Sequence, residues 1–185
     1  MAAVTGTPAN RFGIKEVADV KFFEIDATTG AKTGEAVLYL DTLKVSTIES
    51  TAETAEARGG KGNAPLIIWD YGREITVTLE DALLSMETLS LMFEGKIDGT
   101  DGEVTISANT FPGVYYVEGT TYARNEIDGK DHLFTFAIPK AKIQSEVTLT
   151  MEAEGDPTVF NMTLRVLRDK DGKMMTLTRE ADPIA

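Results

Sequence analysis

ARGGKGNAPLIIWDYGREITVTLEDALLSMETLSLMFEG, residues 57–95, carries three structural signals in unbroken succession. Arg58, Gly59, Gly60, Lys61, Gly62 and Asn63 favour positive φ and a loop or hinge over regular structure. Pro65 leads into Leu66, Ile67, Ile68, Trp69 and Tyr71, an apolar and aromatic patch that holds the only tryptophan of the chain and needs to be buried or covered by a partner. After Gly72, Ile75, Val77 and Leu79 alternate with Thr76, Thr78 and Glu80, the period-2 pattern of a strand with one apolar face. Thr78 and Asp81 then form a capping-box pattern, and Ala82, Leu83, Met86, Leu89, Met92 and Phe93 recur at helical spacing up to Gly95. The expectation is a strand feeding directly into one short amphipathic helix.

Working outward, strand signals dominate. Val20 to Ile25 reads as a strand, Ala27 to Gly34 as its turn, and Ala36, Leu38 and Leu40 as the next strand. From Glu49 to Asn63 the chain is small, polar and acidic; it reads as a surface loop, or as a strand extension or arm that orders on meeting another subunit. Beyond the helix, Asp98–Gly102, Asp128–Gly129 and Asp169–Gly172 read as turns. They separate strands around Val104, Tyr115 to Tyr122, Leu133 to Ile138, Val147 to Met151, Phe160 to Val166 and Met174 to Leu177. Seven to ten strands and one helix predict a mainly β domain, a β-sandwich or partly open β-barrel with one flanking helix. A single domain over residues 1–185 is expected, with an N-terminal arm (1–13), a long inter-subunit loop (42–69) and a C-terminal hairpin or tail (169–185).

Composition narrows the function. Thirty acidic residues against 18 basic ones give a net charge of −12, which disfavours a non-specific grip on nucleic acid. Absence of cysteine excludes disulfides, thiolate metal sites and cysteine nucleophiles. No run approaches the roughly 18 apolar residues of a membrane span, and Met1 to Gly13 lacks signal-peptide character, so cytoplasmic synthesis is the expectation.

Candidate chemistry is sparse. His132, the single histidine, neighbours Asp131, but no strained Gly-x-Ser-x-Gly nucleophile accompanies it, so it reads as an ordinary turn-edge residue. Gly59, Gly60, Lys61 and Gly62 lack the Ser or Thr and the immediate helix of a phosphate-binding loop. Asp169, Asp171 and Gly172, like Asp98, Asp101 and Glu103, give only fragments of a calcium loop and read as β-turns. Tyr115, Tyr116 and Tyr122 offer a sugar platform on paper but sit at strand spacing. No catalytic residue, cofactor or metal is expected.

The glycine run ending in Asn63-Ala64-Pro65, the Trp69-Asp70-Tyr71-Gly72 approach and a strand passing into a lone helix of a β-rich chain resemble the tail tube proteins of tailed bacteriophages, over about Val37 to Gly95. This resemblance implies a structural subunit rather than an enzyme. Its expected partners are copies of itself, in hexameric rings stacked into a tube, with tail tip or baseplate and tail terminator proteins, and a sheath where the tail has one. Phage DNA would pass the channel without specific binding. The location implied is the virion tail, assembled in the host cytoplasm, with no membrane partner. On this resemblance Glu49, Thr51, Glu53, Glu56, Arg58, Gly59, Gly60, Lys61 and Gly62 would belong to the loop reaching the next ring, with the glycines as pivots. Trp69, Tyr71, Met86, Leu89 and Phe93 would lie at the subunit boundary, and Glu80, Glu146 and Glu152 are candidates for the channel wall. The alternatives are a tail-end, baseplate or injection-system inner-tube component of the same fold, or a carbohydrate-binding or adhesion β-sandwich.

Overall fold

The computed structural model describes residues 11–14, 19–26, 28–94, 96–98, 102–144 and 160–184. Among them are eleven strands and one helix: β1 (Phe12–Ile14), β2 (Asp19–Ile25), β3 (Lys32–Leu40), β4 (Leu43–Gly59), β5 (Ala64–Asp81), α1 (Met86–Phe93), β6 (Lys96–Asp98), β7 (Glu103–Thr105), β8 (Val114–Asn125), β9 (Asp131–Ile143), β10 (Phe160–Val166) and β11 (Thr176–Pro183). Nine strands build one antiparallel sheet in the order β3-β2-β8-β9-β10-β5-β4, with β1 added to β8 and β11 to β9; β6 and β7 pair separately.

Alternation explains why this sheet curls. Val20 and Phe22, Leu38 and Leu40, Ile75, Val77 and Leu79, Val117, Ile138, Met162, Leu164 and Val166 are all buried, and they belong to one contiguous core that also takes Met92 of α1. Six strands, from edge strand β3 to the penultimate β5, can share one core only if the sheet bends around it. The edge strands β3 and β4 are joined by just Asp41 and Thr42, which draws the two edges to one corner. There the Thr42 hydroxyl donates to the Asp81 carboxylate, and the Ala82 N–H donates to the Thr42 carbonyl at 3.1 Å. β3 and β4 do not pair, so the sheet stays open rather than closing into a barrel.

Two irregularities shape the middle of the sheet. Pro139 lies inside β9 at a bulge, where β9 changes partner from β11 (Thr176↔Ala137) to β10 (Val166↔Ala141); a proline without an N–H fits that break. Gly119 lies directly opposite Phe136, and a Cβ built on it would stand 2.2 Å from the aromatic ring. The phenylalanine therefore occupies space that any other residue would fill.

Several sequence expectations need correcting. The segment 42–69 is not a loop: all of it but Thr42 and the turn Gly60–Asn63 belongs to β4 and β5, so of the two readings of Glu49 to Asn63 the strand extension is the one the structure shows up to Gly59. The helix begins later than the capping-box pattern predicts, because Thr78 is held in β5 between Thr47 and Thr163, and Asp81 is engaged by Thr42. Ser85 is the actual N-cap, its Oγ accepting from the Thr88 N–H at 3.0 Å, and Glu94 closes the helix in the left-handed region at φ 49°. Within the predicted C-terminal hairpin or tail the strand expected at Met174 to Leu177 runs instead from Thr176 to Pro183 as β11 of the main sheet, and Phe12 and Gly13 of the predicted N-terminal arm pair, with Ile14, to β8. The strand predicted at Val147 to Met151 lies outside the described residues.

Candidate functional site

Strand β5 is the axis of the site. From Thr76 to Asp81 it lies between β4 and β10, and beyond Thr76 it pairs with β4 alone. From Ser50↔Ile75 to Gly59↔Ala64 the two strands form a free-standing ribbon, about 35 Å long at roughly 3.3 Å per residue. Every residue of β5 from Ala64 to Glu74 is exposed, and so is β4 from Ser50 to Glu56. Such an arm has no core; an isolated two-stranded hairpin is marginally stable in water.

At its far end the chain reverses through Gly60, Lys61, Gly62 and Asn63, with Gly60 at φ 76°, Gly62 at φ 91° and Asn63 at φ 51°. The Asn63 N–H donates to the Gly60 carbonyl at 3.2 Å. These glycines make the turn at the tip; they are not pivots at the base. A pair of residues on β5, Gly72 (φ 62°) and Arg73, opposes the single Ala52 between Thr51↔Glu74 and Glu53↔Tyr71, and this bulge is the arm's own irregularity nearest the body.

Register assigns the faces of the ribbon. Ile67 stands opposite Ala57, Trp69 opposite Ala55 and Tyr71 opposite Glu53, so these three large side chains share one face on which two of their three partners are alanines. Ile68 and Asp70 point the other way, beside Glu56 and Thr54. Leu66, Ile67, Ile68, Trp69 and Tyr71 are each more than half exposed. An apolar surface of this extent, on a strand pair with open edges, has the character of an interaction surface.

The sequence-predicted residues divide accordingly. Glu49, Thr51, Glu53 and Glu56 lie exposed on β4, Arg58 and Gly59 end that strand, and Gly60, Lys61 and Gly62 form the tip. Arg58 is tied to Glu56, Nε to Oε2 at 2.7 Å, and Glu74 at the arm's base pairs with Arg165 of the body. Trp69 and Tyr71 are on the arm, whereas Met86, Leu89 and Phe93 are half-buried on α1 at the opposite end of β5, with Phe93 packed against the core. The proposed boundary set is therefore two separate surfaces. Glu80 is half-buried between Val45 and Asn161; Glu146 and Glu152 lie outside the described residues.

What the sequence reading missed is the surface at the near end of β5. Asp41 and Thr42 of the corner, Asp81, and Leu83, Leu84 and Thr88 surround an open concavity of about 290 Å³. Helical spacing places Leu83 on the apolar face of a longer helix, but α1 begins only at Met86, and Leu83 and its neighbour Leu84 stand exposed ahead of it.

The remaining candidates are structural. His132 is buried in β9, its Nδ1 3.1 Å from the Glu180 carbonyl and its Nε2 3.3 Å from Asp128, so it links β11 to the β8–β9 turn. Its sequence neighbour Asp131 is instead clasped by Arg124, at 2.8 and 2.7 Å. The backbone N–H of Lys130 above all, then His132, holds the Asp128 carboxyl below the usual carboxylate range. Tyr115 packs edge-on to Phe22 in the core and Tyr116 edge-on to Phe23, so they form no common sugar platform. Asp169 accepts from the N–H groups of Asp171 and Lys173, as a turn residue does. Among the described residues no three His, Cys, Asp or Glu gather to hold a metal, and no helix is long and apolar enough to cross a membrane.

A family model described as the YomU/Tube protein family matches residues 12–100 and, in a second segment, 94–177. No curated protein matches the chain.

Proposed function

From the premise that this chain belongs to the YomU/Tube protein family, we propose that it is the structural subunit of a phage tail tube, assembling as hexameric rings that stack into a hollow cylinder. The observation that carries this is the arm: a ribbon without a core, apolar on one face, projecting from a body that is complete without it. An ornament of that kind serves assembly, since its ordering costs entropy that only a neighbouring subunit repays. The open strand edges of β3 and β4 support the same reading, because a closed ring satisfies edges that otherwise drive uncontrolled association.

The charge of the chain fits the same role. At −12 it repels phosphates, so DNA leaving through such a cylinder slides without adhering. Tail tip and terminator proteins would cap the two ends, and the assembled protein would reside in the virion tail after assembly in the host cytoplasm. Negative-stain microscopy of purified protein tests the proposal: six-fold rings and tubes are expected, after a lag if a tail initiator is required. Rings that never stack would mark a tail-end or baseplate component. A strictly monomeric protein at high concentration, with initiator supplied, would rule the tube out.

A further inference from the structure

The two ends of β5 differ in chemistry in complementary ways. At the far end, Lys61 is exposed in the turn and has no carboxylate within ion-pair distance among the described residues, unlike Arg58. Beside it Leu66, 67% exposed, lies over Gly59, its Cδ1 3.3 Å from where a Cβ would stand. The tip is thus a cation next to an aliphatic side chain. At the near end is the concavity of about 290 Å³. Its lip is Leu83 and Leu84, 65% and 46% exposed, and its acidic side is Asp41 and Asp81, neither with a cation partner among the described residues. That volume falls just short of the about 300–1,000 Å³ of small-molecule sites and suits inserted side chains.

We propose that this concavity is the socket for the arm tip of a second copy of the chain, with Leu66 entering between Leu83 and Leu84 and Lys61 pairing with Asp41. The inference deepens, and rests on, the tube assembly proposed above. Tip and socket sit at opposite ends of one 18-residue strand, so no copy satisfies its own socket. Each copy gives its tip to one neighbour and receives a tip from another. That is a heterologous contact, which propagates as an open series along the strand axis instead of closing as a symmetric pair. Stacked rings require that geometry.

Because the chain contains no cysteine, crosslinking has no background. Lys61→Cys and Leu84→Cys, carried on separate copies, are mixed under assembly conditions and oxidised with diamide. The expected product is a disulfide dimer of unlike copies, at least tenfold more abundant than with Ile127→Cys, an exposed position on the β8–β9 turn, in place of Leu84→Cys. Tubes that form without that dimer, or with equal crosslinking to the control, would overturn the socket and leave the tube reading intact. Absence of tubes from the wild-type chain would end both. A charge swap provides a second route: Lys61→Glu should cut tube yield at least tenfold, and adding Asp41→Lys in the same chain should restore it. Failure of the pair to restore stacking would refute the Lys61–Asp41 contact.

Discussion

The same strand lives in two environments. Between Thr76 and Asp81, β5 has partners on both sides and buries Val77 and Leu79; between Ala64 and Glu74 it has one partner and buries nothing. In the body, each residue is fixed by what it touches within the subunit. In the arm, side chains as large as Trp69 touch too little of their own chain to explain their presence. The contrast separates residues that the subunit's own fold accounts for from residues that it leaves unexplained, and it can be attacked from both sides.

The harshest test removes the arm. Replacing Thr51–Glu74 by Asn-Gly, which closes a two-residue hairpin on the Ser50↔Ile75 pair, should abolish tubes altogether while leaving a cooperatively folded monomer. Normal tubes from that chain, seen by electron microscopy, would show the arm to be decoration. Next in size is Leu164→Ala in the body, expected to cost about 2–5 kcal/mol in denaturant unfolding because Leu164 is wholly buried. Trp69→Ala should change the free subunit by no more than about 0.5 kcal/mol, as exposed positions do, yet impair assembly. If the tryptophan substitution destabilised the monomer as much as the leucine one, the arm would have to be counted as core.

The glycines sharpen the division further. Gly119→Ala forces a methyl against the Phe136 ring, and about 1–3 kcal/mol of overpacking cost is expected in the unfolding free energy. Gly72→Ala meets no close neighbour but adopts φ 62°; it should leave global unfolding unchanged and speed amide exchange in the arm alone. Equal effects of the two on global unfolding would couple arm to body. The smallest effect is expected at Asp128. Its carboxyl is held below its ordinary value of 3.8, so its contribution is fully present above about pH 3.8 and fades as pH falls through the lower folded value. Asp128→Asn should slightly flatten the acid limb of the unfolding curve and leave the arm's exchange untouched. An unchanged acid limb would mean that the turn does not hold the carboxylate in solution.

How much of this the sequence disclosed follows the same divide. Ile75-Thr76-Val77-Thr78-Leu79 and Phe160 to Val166 alternate because one face is buried and the other is not, so the body's strands were legible. The Thr- and Gly-rich stretch from Ala27 to Gly34, and Asp128 and Asp169 with the glycines after them, announced their turns. The arm left no such mark. With both faces of Ser50 to Glu56 in solvent, nothing forces apolar residues onto alternate positions, and a strand built from Thr, Glu and Ala resembles a loop. Leu66 to Trp69 run consecutively apolar for the complementary reason: neither face belongs to a core. The helix start was misplaced because Thr78 and Asp81 carry the residue types of a cap while serving the sheet and the corner. The concavity at the corner was invisible, since Asp41 and Leu84 meet only through the joining of two edge strands.

The bulge at Gly72 carries a consequence for how such a protein changes over generations. In a ribbon where side chains alternate, loss of one residue outside a bulge turns the Ile67, Trp69 and Tyr71 row to the opposite side, whereas loss of two keeps it in place. Length variation in the arm among descendants of this gene should therefore come in even steps, matched on both strands, with odd steps tolerated only where a bulge is gained or erased. The body, whose strands interlock across a shared core, has no comparable freedom, so inheritance should show the arm growing and shrinking by pairs while the rest of the chain keeps its count.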